Sequence, residues 1–222
     1  RVDAMIDVLR ARVQDFLGNR LVAMYLDGSL TTGDFDQDSD IDFVVVTEAR
    51  VTPEEFAGLQ AMHEALARLD SPWAIQLEGS YLSRRAVRRF DPEDALYPNL
   101  ERGPGERLKW AYHDETWDLH RYVLRERGIP LVGPAADTLI DPVPPDRLRA
   151  VMRSNLTGWA ARFLEDPGPL RARGYQSYVV LSLCRILYTL ETAQVVSKRV
   201  AASWAQVRLE ERWSPLIARA IE

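Results

Sequence analysis

The sequence predicts an α+β fold in two parts, a mixed sheet with helices over residues 1–142 and an α-helical bundle over residues 143–222. Three observations support this prediction. Short apolar runs bounded by turn residues, which are typical of buried strands, recur in the first part. A proline-rich segment, Leu131 to Pro145, then separates the two parts. After that segment, apolar residues recur at helical spacing.

The first half of the chain alternates helical and strand-like patterns. Apolar residues at three- and four-residue steps predict an amphipathic first helix, and short apolar runs predict the strands. A proline at the first position favours the start of the second helix. The elements expected in order are a helix ending at Gly18, strands over 21–26 and 41–46, a helix from Pro53 to about Leu69, and a strand over 73–82.

The rest of the chain is expected to be mainly helical. Prolines make the stretch from Asp91 to Glu106 resemble a loop, and a helix is expected from Leu108 until Gly128 stops it. The helices expected in the second part lie over 148–163, 175–190, 201–209 and 215–221.

The segment from Tyr25 to Val46 carries the polar groups of greatest chemical interest. Gly28 and Ser29 follow the first predicted strand, while Asp40 and Asp42 meet the second. Residues two apart on a strand face the same side, so these two aspartates must project side by side. Carboxylates that close repel unless a cation lies between them, and Mg²⁺ prefers carboxylates together with substrate phosphates. Gly28 allows close approach of a bulky ligand, and the Ser29 hydroxyl can bind a phosphate oxygen.

Two other interpretations of this acidic segment deserve comparison. The first is a solvated acidic turn, because Asp34, Asp36 and Asp38 also alternate. The second is a calcium-binding loop, and the spacing excludes it. Counted from Asp34, the position that needs glycine holds Ser39, and the twelfth position holds Val45 instead of glutamate. The aspartates are therefore interpreted as metal ligands.

The composition limits the partners and the compartment. Hydrophobic residues make up 46% and charged residues 27% of the chain, as in ordinary globular proteins. A net charge of −5 disfavours a nucleic-acid binder, which usually shows a basic face. The single cysteine, Cys184, cannot form an internal disulfide, which fits a reducing compartment. No apolar run approaches the length of about 18 residues expected of a membrane span. We expect a cytoplasmic protein without membrane contact.

The order of Gly-Ser after one strand and Asp-x-Asp on the next resembles the nucleotidyltransferase superfamily related to DNA polymerase β. Three later runs, LVGPAADTLIDPVP, LSLCRILYTLET and SKRVAASWA, resemble the aminoglycoside adenylyltransferases that act on streptomycin and spectinomycin. The resemblance covers nearly the whole chain. It implies transfer of AMP from ATP to a hydroxyl of a small molecule, with release of pyrophosphate. It also implies a polymerase β-like nucleotidyltransferase domain followed by a helical domain that completes the substrate cleft.

The resemblance also assigns site residues. It implies that Asp40 and Asp42 bind Mg²⁺, of which two ions are expected. It also implies that Glu78 is the catalytic base. Independently, a sugar-like hydroxyl is a poor nucleophile, so a carboxylate must accept its proton. Apart from the Asp-x-Asp pair, Glu78 is the only acid inside a predicted core strand. Glu115 is the alternative base. The positions matching nucleotide-binding residues of the family are Gly28, Ser29, Ser39 and Lys198.

The acceptor half of the family pattern is altered. The family segment that matches Ser197 to Trp204 carries two aspartates that bind the cationic drug, whereas this chain has Arg199 and Ser203 there. We therefore expect an aminoglycoside-like acceptor other than streptomycin or spectinomycin, bound by a monomer that contacts no nucleic acid. Two alternatives stay open: AMP transfer to a protein or RNA, and a nucleotide-binding module without catalysis.

Overall fold

The computed structural model describes residues 1–37 and 39–222; Asp38, one of the alternating acids of the turn, lies outside the described residues. The chain divides into two compact units, Arg1–Pro142 and Val143–Glu222. The first contains a sheet with helices, and the second is helical. The predicted α+β fold class is confirmed. Within residues 1–37 and 39–222, no helix combines the length and the apolar character that crossing a membrane requires.

The first unit is built from short strands and helices that alternate along the chain. Its described strands are β1 (Leu21–Leu26), β2 (Ile41–Thr47), β3 (Leu77–Ser83), β4 (Leu96–Leu100), β5 (Lys109–Tyr112) and β6 (Ile129–Val132). Its described helices are α1 (Val2–Leu17), α2 (Ser29–Thr32), α3 (Pro53–Leu66), α4 (Arg84–Arg88) and α5 (Asp118–Arg127).

The strands form one mixed sheet in the order β5-β4-β3-β2-β1-β6. Strands β2 and β3 run parallel, whereas the other neighbouring pairs are antiparallel. As a result, β1 and β4 end at the same end of the sheet where β2 and β3 begin. The loops that leave or enter the sheet at this end therefore lie close together.

Alternate strand residues supply two separate cores, one on each face of the sheet. On one face, Phe43 and Val45 of β2 pack with Leu9 of α1 and Leu59 of α3. The opposite core includes three residues of β1 and β2 that alternate with the first set, namely Tyr25, Val44 and Val46. Asp42 lies two residues before Val44, so it shares that second face at the start of the strand.

Helix α3 begins where the sequence predicts, at Pro53. Thr52 caps α3 by accepting from the Glu55 backbone N–H, and the Glu55 side chain accepts from the Thr52 N–H in return. Pro53 occupies the first helical position, as the sequence predicts. This reciprocal capping box satisfies two backbone donors that the first turn would otherwise leave without partners.

The prediction of one helix from Leu108 to Arg127 is wrong. Residues Lys109–Tyr112 form β5 against β4, and α5 begins only at Asp118. Pairing with β4 and stacking of Trp110 on Phe56, with ring centroids 4.8 Å apart, favour the extended conformation. Asp114 then caps the turn that leads into α5 by accepting from the Thr116 N–H. Tertiary pairing has overridden local helix propensity here.

Three smaller predictions also need correction. The stretch expected as a loop from Asp91 to Glu106 contains β4, with Pro98 inside the strand. The strand expected from Trp73 begins at Leu77, because Ser71 caps a 3₁₀ turn over Pro72–Ile75. The proline-rich segment begins inside β6, which pairs with β1. Proline marks these regions as turns in the sequence, but edge and short strands tolerate it.

The second unit is helical, as predicted. Helix α7 packs against the other three described helices of this unit, which explains its apolar sequence. Alanines of α8 allow close packing around Cys184, which is buried and free. The helices are α6 (Pro145–Glu165), α7 (Arg173–Thr192), α8 (Lys198–Arg208) and α9 (Ser214–Ile221).

Candidate active site

Gly28 lies in the loop that follows β1 and faces the first residues of β2. Its φ of +64° is a conformation that side-chain-bearing residues rarely adopt. A Cβ at this position would lie 1.8 Å from Oδ2 of Asp42. The neighbouring Asp27 N–H donates to the Asp42 carbonyl oxygen at 3.0 Å, which fixes the loop to β2. Glycine is therefore required because the Asp42 carboxylate occupies the space of a side chain.

Four carboxylates gather where β1 ends and β2 and β3 begin; we call this group, Asp27, Asp40, Asp42 and Glu78, the acid cluster. Asp40 directly precedes β2, and Asp42 is its second residue. Glu78 lies directly opposite Asp42 in the parallel register of β2 and β3. The sequence predicts three of these acids but not Asp27. The position of Asp27 between the first strand and Gly28 is the feature that could have identified it.

The acid cluster concentrates negative charge in a partly buried place. Burial, followed by repulsion from Asp40, Asp27 and Glu78, raises the pKa of Asp42 to about 8. Burial and then Asp40 raise the pKa of Glu78 above its usual range. Ionised carboxylates at this spacing need a positive partner, and the strand register keeps them from separating. A cation bound here would lower both pKa values.

Arg102 is a cation beside the acid cluster that the sequence did not reveal. Its Nε lies 3.6 Å from Oδ2 of Asp40. Its backbone N–H and its guanidinium both lower the pKa of Glu78, and the guanidinium also lowers that of Asp42. Arg102 reaches the cluster because β4 runs antiparallel to β3 and ends beside its start. No local sequence pattern indicates this contact, because the prolines of the segment from Asp91 to Glu106 predict a loop.

The donor chemistry of the cluster fits Mg²⁺ that arrives with a nucleotide. Among the described residues, no group of three or more His, Cys, Asp or Glu side chains forms a ready metal site. Mg²⁺ does not require one, because it is usually held by one or two carboxylates together with substrate phosphates and water. The crowded carboxylates of Asp40 and Asp42 would supply hard oxygen donors to such an ion.

The two serines that the resemblance assigns to nucleotide binding have different surroundings. The Ser29 hydroxyl is buried and has no hydrogen-bond partner within the described part of the chain. A phosphate oxygen would satisfy this donor. Ser39 instead holds the turn together: its Oγ donates to the Asp36 carboxylate at 3.0 Å and accepts from the Asp36 N–H at 2.9 Å. Ser29 is thus available to a ligand, whereas Ser39 shapes the loop.

The remaining family-matched positions lie in the second unit, at the start of α8. Lys198 places its Nζ 4.4 Å from the centroid of the Tyr178 ring. Arg199 and Ser203 are exposed one turn apart, and the Ser203 hydroxyl donates to the Arg199 carbonyl oxygen at 3.1 Å. These two residues therefore share one face of α8.

Two further charged groups belong to the opposite end of the sheet. Glu115, the alternative base, follows β5, whose end pairs with the beginning of β4. It therefore lies away from the acid cluster, and Glu78 is the better-placed carboxylate. The arginines of the run SRRAVRRF follow β3 and form exposed ion pairs, for example Arg84 with Glu48 and Arg88 with Asp141, each at 3.0 Å. These pairs indicate a solvated basic surface at this end of the sheet.

Comparisons with known proteins agree with this architecture. Residues 6–84 match the family model described as nucleotidyltransferase domain, and residues 138–222 match aminoglycoside adenylyltransferase, C-terminal domain. An aminoglycoside (3'') (9) adenylyltransferase of Klebsiella pneumoniae is 30% identical, over 99% of this chain and 84% of that protein. A spectinomycin 9-adenylyltransferase of Campylobacter jejuni is 27% identical, over 94% of this chain and 80% of that protein.

A solved structure shows the same fold. The spectinomycin adenyltransferase AAD(9) from Enterococcus faecialis, crystallised with ATP and spectinomycin, superposes with a TM-score of 0.73. The alignment covers 98% of this chain and 88% of that chain at 15% sequence identity. The fold, the matched domains and the near full-length relatives together show that this chain belongs to the aminoglycoside adenylyltransferase family.

Proposed function

We propose that the protein transfers AMP from MgATP to a hydroxyl of a small, aminoglycoside-like molecule and releases pyrophosphate. The observation that carries this proposal is the register of β2 and β3, which sets Glu78 directly opposite Asp42 beside the Gly28 loop. The family relationship supports nucleotidyl transfer, and the fold neighbour was solved with ATP and spectinomycin. A reaction that consumes ATP fits the cytoplasm.

In this mechanism each residue of the site has a separate task. Asp40 and Asp42 would hold Mg²⁺, which when bound neutralises negative charge on the carboxylates and the triphosphate. Gly28 leaves room for the Asp42 carboxylate beside the loop, and the buried Ser29 hydroxyl donates to a phosphate oxygen. Glu78 accepts the proton of the acceptor hydroxyl. The oxygen then bonds to the α-phosphorus while the bond to the bridging oxygen of pyrophosphate breaks.

The raised pKa of Glu78 suits it to act as the base. A carboxylate whose pKa lies above its ordinary value takes a proton more readily than a solvated one. Lys198 is assigned to the nucleotide, and Arg199 with Ser203 to the acceptor. Because Arg199 is positive where the drug-modifying enzymes are acidic, we infer an acceptor of lower positive charge than streptomycin or spectinomycin. A monomer is sufficient for this reaction.

Nucleotide binding tests the metal ligands. We expect Asp40→Asn and Asp42→Asn to bind ATP much more weakly and to lose the dependence on Mg²⁺, because each replacement removes a ligand charge. Asp34→Asn, in the same acidic turn, should behave like the parent. Calorimetric titration with ATP, with and without Mg²⁺, measures all three. If Asp40→Asn binds MgATP as tightly as the parent does, the motif is a solvated acidic turn.

Turnover tests the base separately from binding. Glu78→Gln should fold and bind MgATP, since a base acts only in the chemical step. Transfer from radiolabelled ATP, screened over aminoglycosides and other polyols, should fall by roughly 10²-fold or more. Glu115→Gln is the matched control and should transfer normally. Equal turnover of Glu78→Gln and the parent would assign the base elsewhere, whereas MgATP binding without any transfer would favour a non-catalytic module.

A further inference from the structure

Arg102 occupies a position that the proposed reaction does not otherwise explain. It follows β4 and approaches the acid cluster from the strand next to β3. Its Nε faces Oδ2 of Asp40 at 3.6 Å, and its backbone N–H points to the Glu78 carboxylate. The residue therefore contacts one proposed metal ligand and the proposed base at the same time.

The charges around the acid cluster favour a cation at its edge. Asp27, Asp40, Asp42 and Glu78 face one another, and Glu101 adds further repulsion on Glu78. Arg102 opposes this repulsion at both Asp42 and Glu78. Without a metal, a guanidinium beside Asp40 stabilises carboxylates that the strands hold together.

The contact is suited to exchange. The Arg102 side chain is 45% exposed, and the separation from Asp40 is longer than that of a close, hydrogen-bonded pair. Half-exposed ion pairs of this kind contribute little free energy, so a competing cation can displace the guanidinium. The displaced group remains next to the place where an incoming triphosphate would bring negative charge.

We propose that Arg102 is the internal counter-ion of the acid cluster and competes with Mg²⁺ for Asp40, so that the metal binds tightly only together with the nucleotide. This inference rests on the proposed function, because it takes Asp40 as a metal ligand. It assigns Arg102 a positioning role: the residue offsets the repulsion between carboxylates that the strands hold together in the metal-free protein, and it gives up Asp40 when MgATP binds.

Mg²⁺ binding in the absence of nucleotide tests the competition directly. We expect Arg102→Gln to bind Mg²⁺ about three- to tenfold more tightly than the parent in calorimetric titrations, since the competing charge is gone. Arg102→Lys, which keeps the charge, should lie closer to the parent. Arg107→Gln is the matched control, because Arg107 lies in the same β4–β5 loop but pairs with Glu64 at 2.7 Å. Its Mg²⁺ affinity should be unchanged.

A second readout is thermal stability. Arg102→Gln should melt at a lower temperature than the parent without metal and should be stabilised more strongly by Mg²⁺. If the variant is unfolded without metal, excess Mg²⁺ should restore its folding. Adding Asp40→Asn to Arg102→Gln should abolish the gain in Mg²⁺ affinity, because the contested ligand has been removed.

Two results would overturn the inference: an Arg102→Gln affinity for Mg²⁺ within twofold of the parent, or a gain that survives Asp40→Asn. Parent titrations with MgATP, run alongside, separate this outcome from failure of the proposed function. A parent that does not bind MgATP contradicts the proposed function. If the parent binds MgATP but Arg102→Gln has the same Mg²⁺ affinity as the parent, only the role of Arg102 is contradicted.

Discussion

Gly28 and Asp42 constrain each other at the start of β2. The carboxylate of Asp42 fills the volume where any other residue at position 28 would place its Cβ. The same contact brings backbone amides close to the proposed metal ligand, so a phosphate bound by the loop would lie next to Asp42. One steric requirement thus connects the backbone of the loop to the chemistry of the site.

A substitution pair separates this contact from backbone strain. Gly28→Ala should lower the free energy of unfolding by about 2–4 kcal/mol and abolish MgATP binding, because it strains φ and displaces Asp42. Gly33 also has a positive φ, +79°, but a Cβ there would meet nothing within 4 Å. Gly33→Ala should therefore cost only about 1–2 kcal/mol and leave binding intact. Thermal melts and MgATP calorimetry test both variants; parental binding by Gly28→Ala would contradict the steric argument.

His63 is a buried titratable residue on the other face of the sheet. Its Nε2 lies 2.7 Å from the Tyr81 hydroxyl, and its Nδ1 is buried with no hydrogen-bond partner in the described chain. Burial lowers the pKa of His63 from 6.5 to about 4. A proton added to Nδ1 would have no acceptor, so the folded protein keeps this ring neutral.

The buried histidine makes a contribution to stability that is lost in mild acid. Below a pH of about 6.5 the unfolded chain binds a proton at His63 that the folded protein does not, so the His63 contribution falls as pH decreases, and this loss ends near the folded pKa of about 4. Between about pH 7 and about pH 5 this contribution is about 2 kcal/mol. His63→Gln should remove it, whereas exposed His120→Gln should not. Urea unfolding at several pH values measures the slope; equal slopes for His63→Gln and the parent would refute the assignment.

At the scale of elements, the sequence predicted best where the structural signal is local. The start of α3 depends on the capping box of Thr52 and on Pro53, and both are visible in the sequence. The strands β1 and β2 are apolar runs of ordinary strand length. In contrast, β4 contains Pro98 and β5 is a stretch of four residues that is mostly exposed. Their stability comes from pairing with neighbours, which no local pattern records.

The same reason limits prediction of the site. Asp40, Asp42 and Glu78 could be expected together because each lies in or beside a recognisable strand. Arg102 could not, because its position depends on the antiparallel pairing of β4 with β3. The prolines of this segment predict a loop, so the sequence does not reveal the pairing. A residue that approaches a site from an unpredicted strand is missed even when the site itself is found.

Within the first unit, a buried arginine connects helix α5 to the elements around it. The side chain of Arg121 is 1% exposed and donates to Asp118 at 3.0 Å, to the Ala86 carbonyl oxygen at 2.7 Å and to His113 Nδ1 at 3.0 Å. These bonds connect α5 to α4 and to the segment after β5. The apolar residues of α5 are few, so this polar network contributes much of its attachment.

Replacing this arginine should destabilise the first unit strongly. We expect Arg121→Met to lower the free energy of unfolding by about 3–5 kcal/mol, because removing one member of a buried ion pair is strongly destabilising. Arg84→Met is the control: Arg84 forms an exposed pair with Glu48, and its loss should cost at most about 1 kcal/mol. Urea unfolding monitored by tryptophan fluorescence compares them. Similar midpoints for the two variants would mean that the network is not needed for stability.

At the scale of the whole molecule, we expect the two units to differ in how closely they follow the family. The acid cluster in the first unit contains the residues that we propose for nucleotide transfer, whereas α8 in the second carries Arg199 and Ser203 at positions where the sequence resemblance implies two aspartates. Glu191 and Glu210 would be the nearest acids if the matched segment were displaced by a turn. Each already pairs with an arginine at 3.2 Å, Arg208 and Arg212 respectively. Both pairs are exposed and contribute little free energy, so they do not by themselves keep either glutamate from a cationic acceptor.

This difference predicts that the protein does not modify streptomycin or spectinomycin efficiently. Exchanging two aspartates for arginine and serine changes the formal charge from −2 to +1. Opposite charges about 5 Å apart at an effective dielectric near 20 interact by about 3 kcal/mol. Even halved for solvent, the lost attraction and added repulsion cost more than about 2 kcal/mol, or roughly 30-fold in affinity. An acceptor of lower positive charge, or one with an acidic group for Arg199, avoids this penalty.

This prediction can be tested by expressing the protein in a sensitive bacterial strain and measuring its tolerance to streptomycin and spectinomycin. The parent should confer little tolerance to either drug, while the double variant Arg199→Asp, Ser203→Asp should raise it, because both positions are exposed on α8 and can change without disturbing the core. Adding Glu78→Gln to the double variant should remove the gain if that gain comes from nucleotide transfer. High tolerance from the parent, abolished by Glu78→Gln alone, would show that the charge at the start of α8 does not exclude these drugs. The acceptor would then have to be bound through residues other than Arg199 and Ser203.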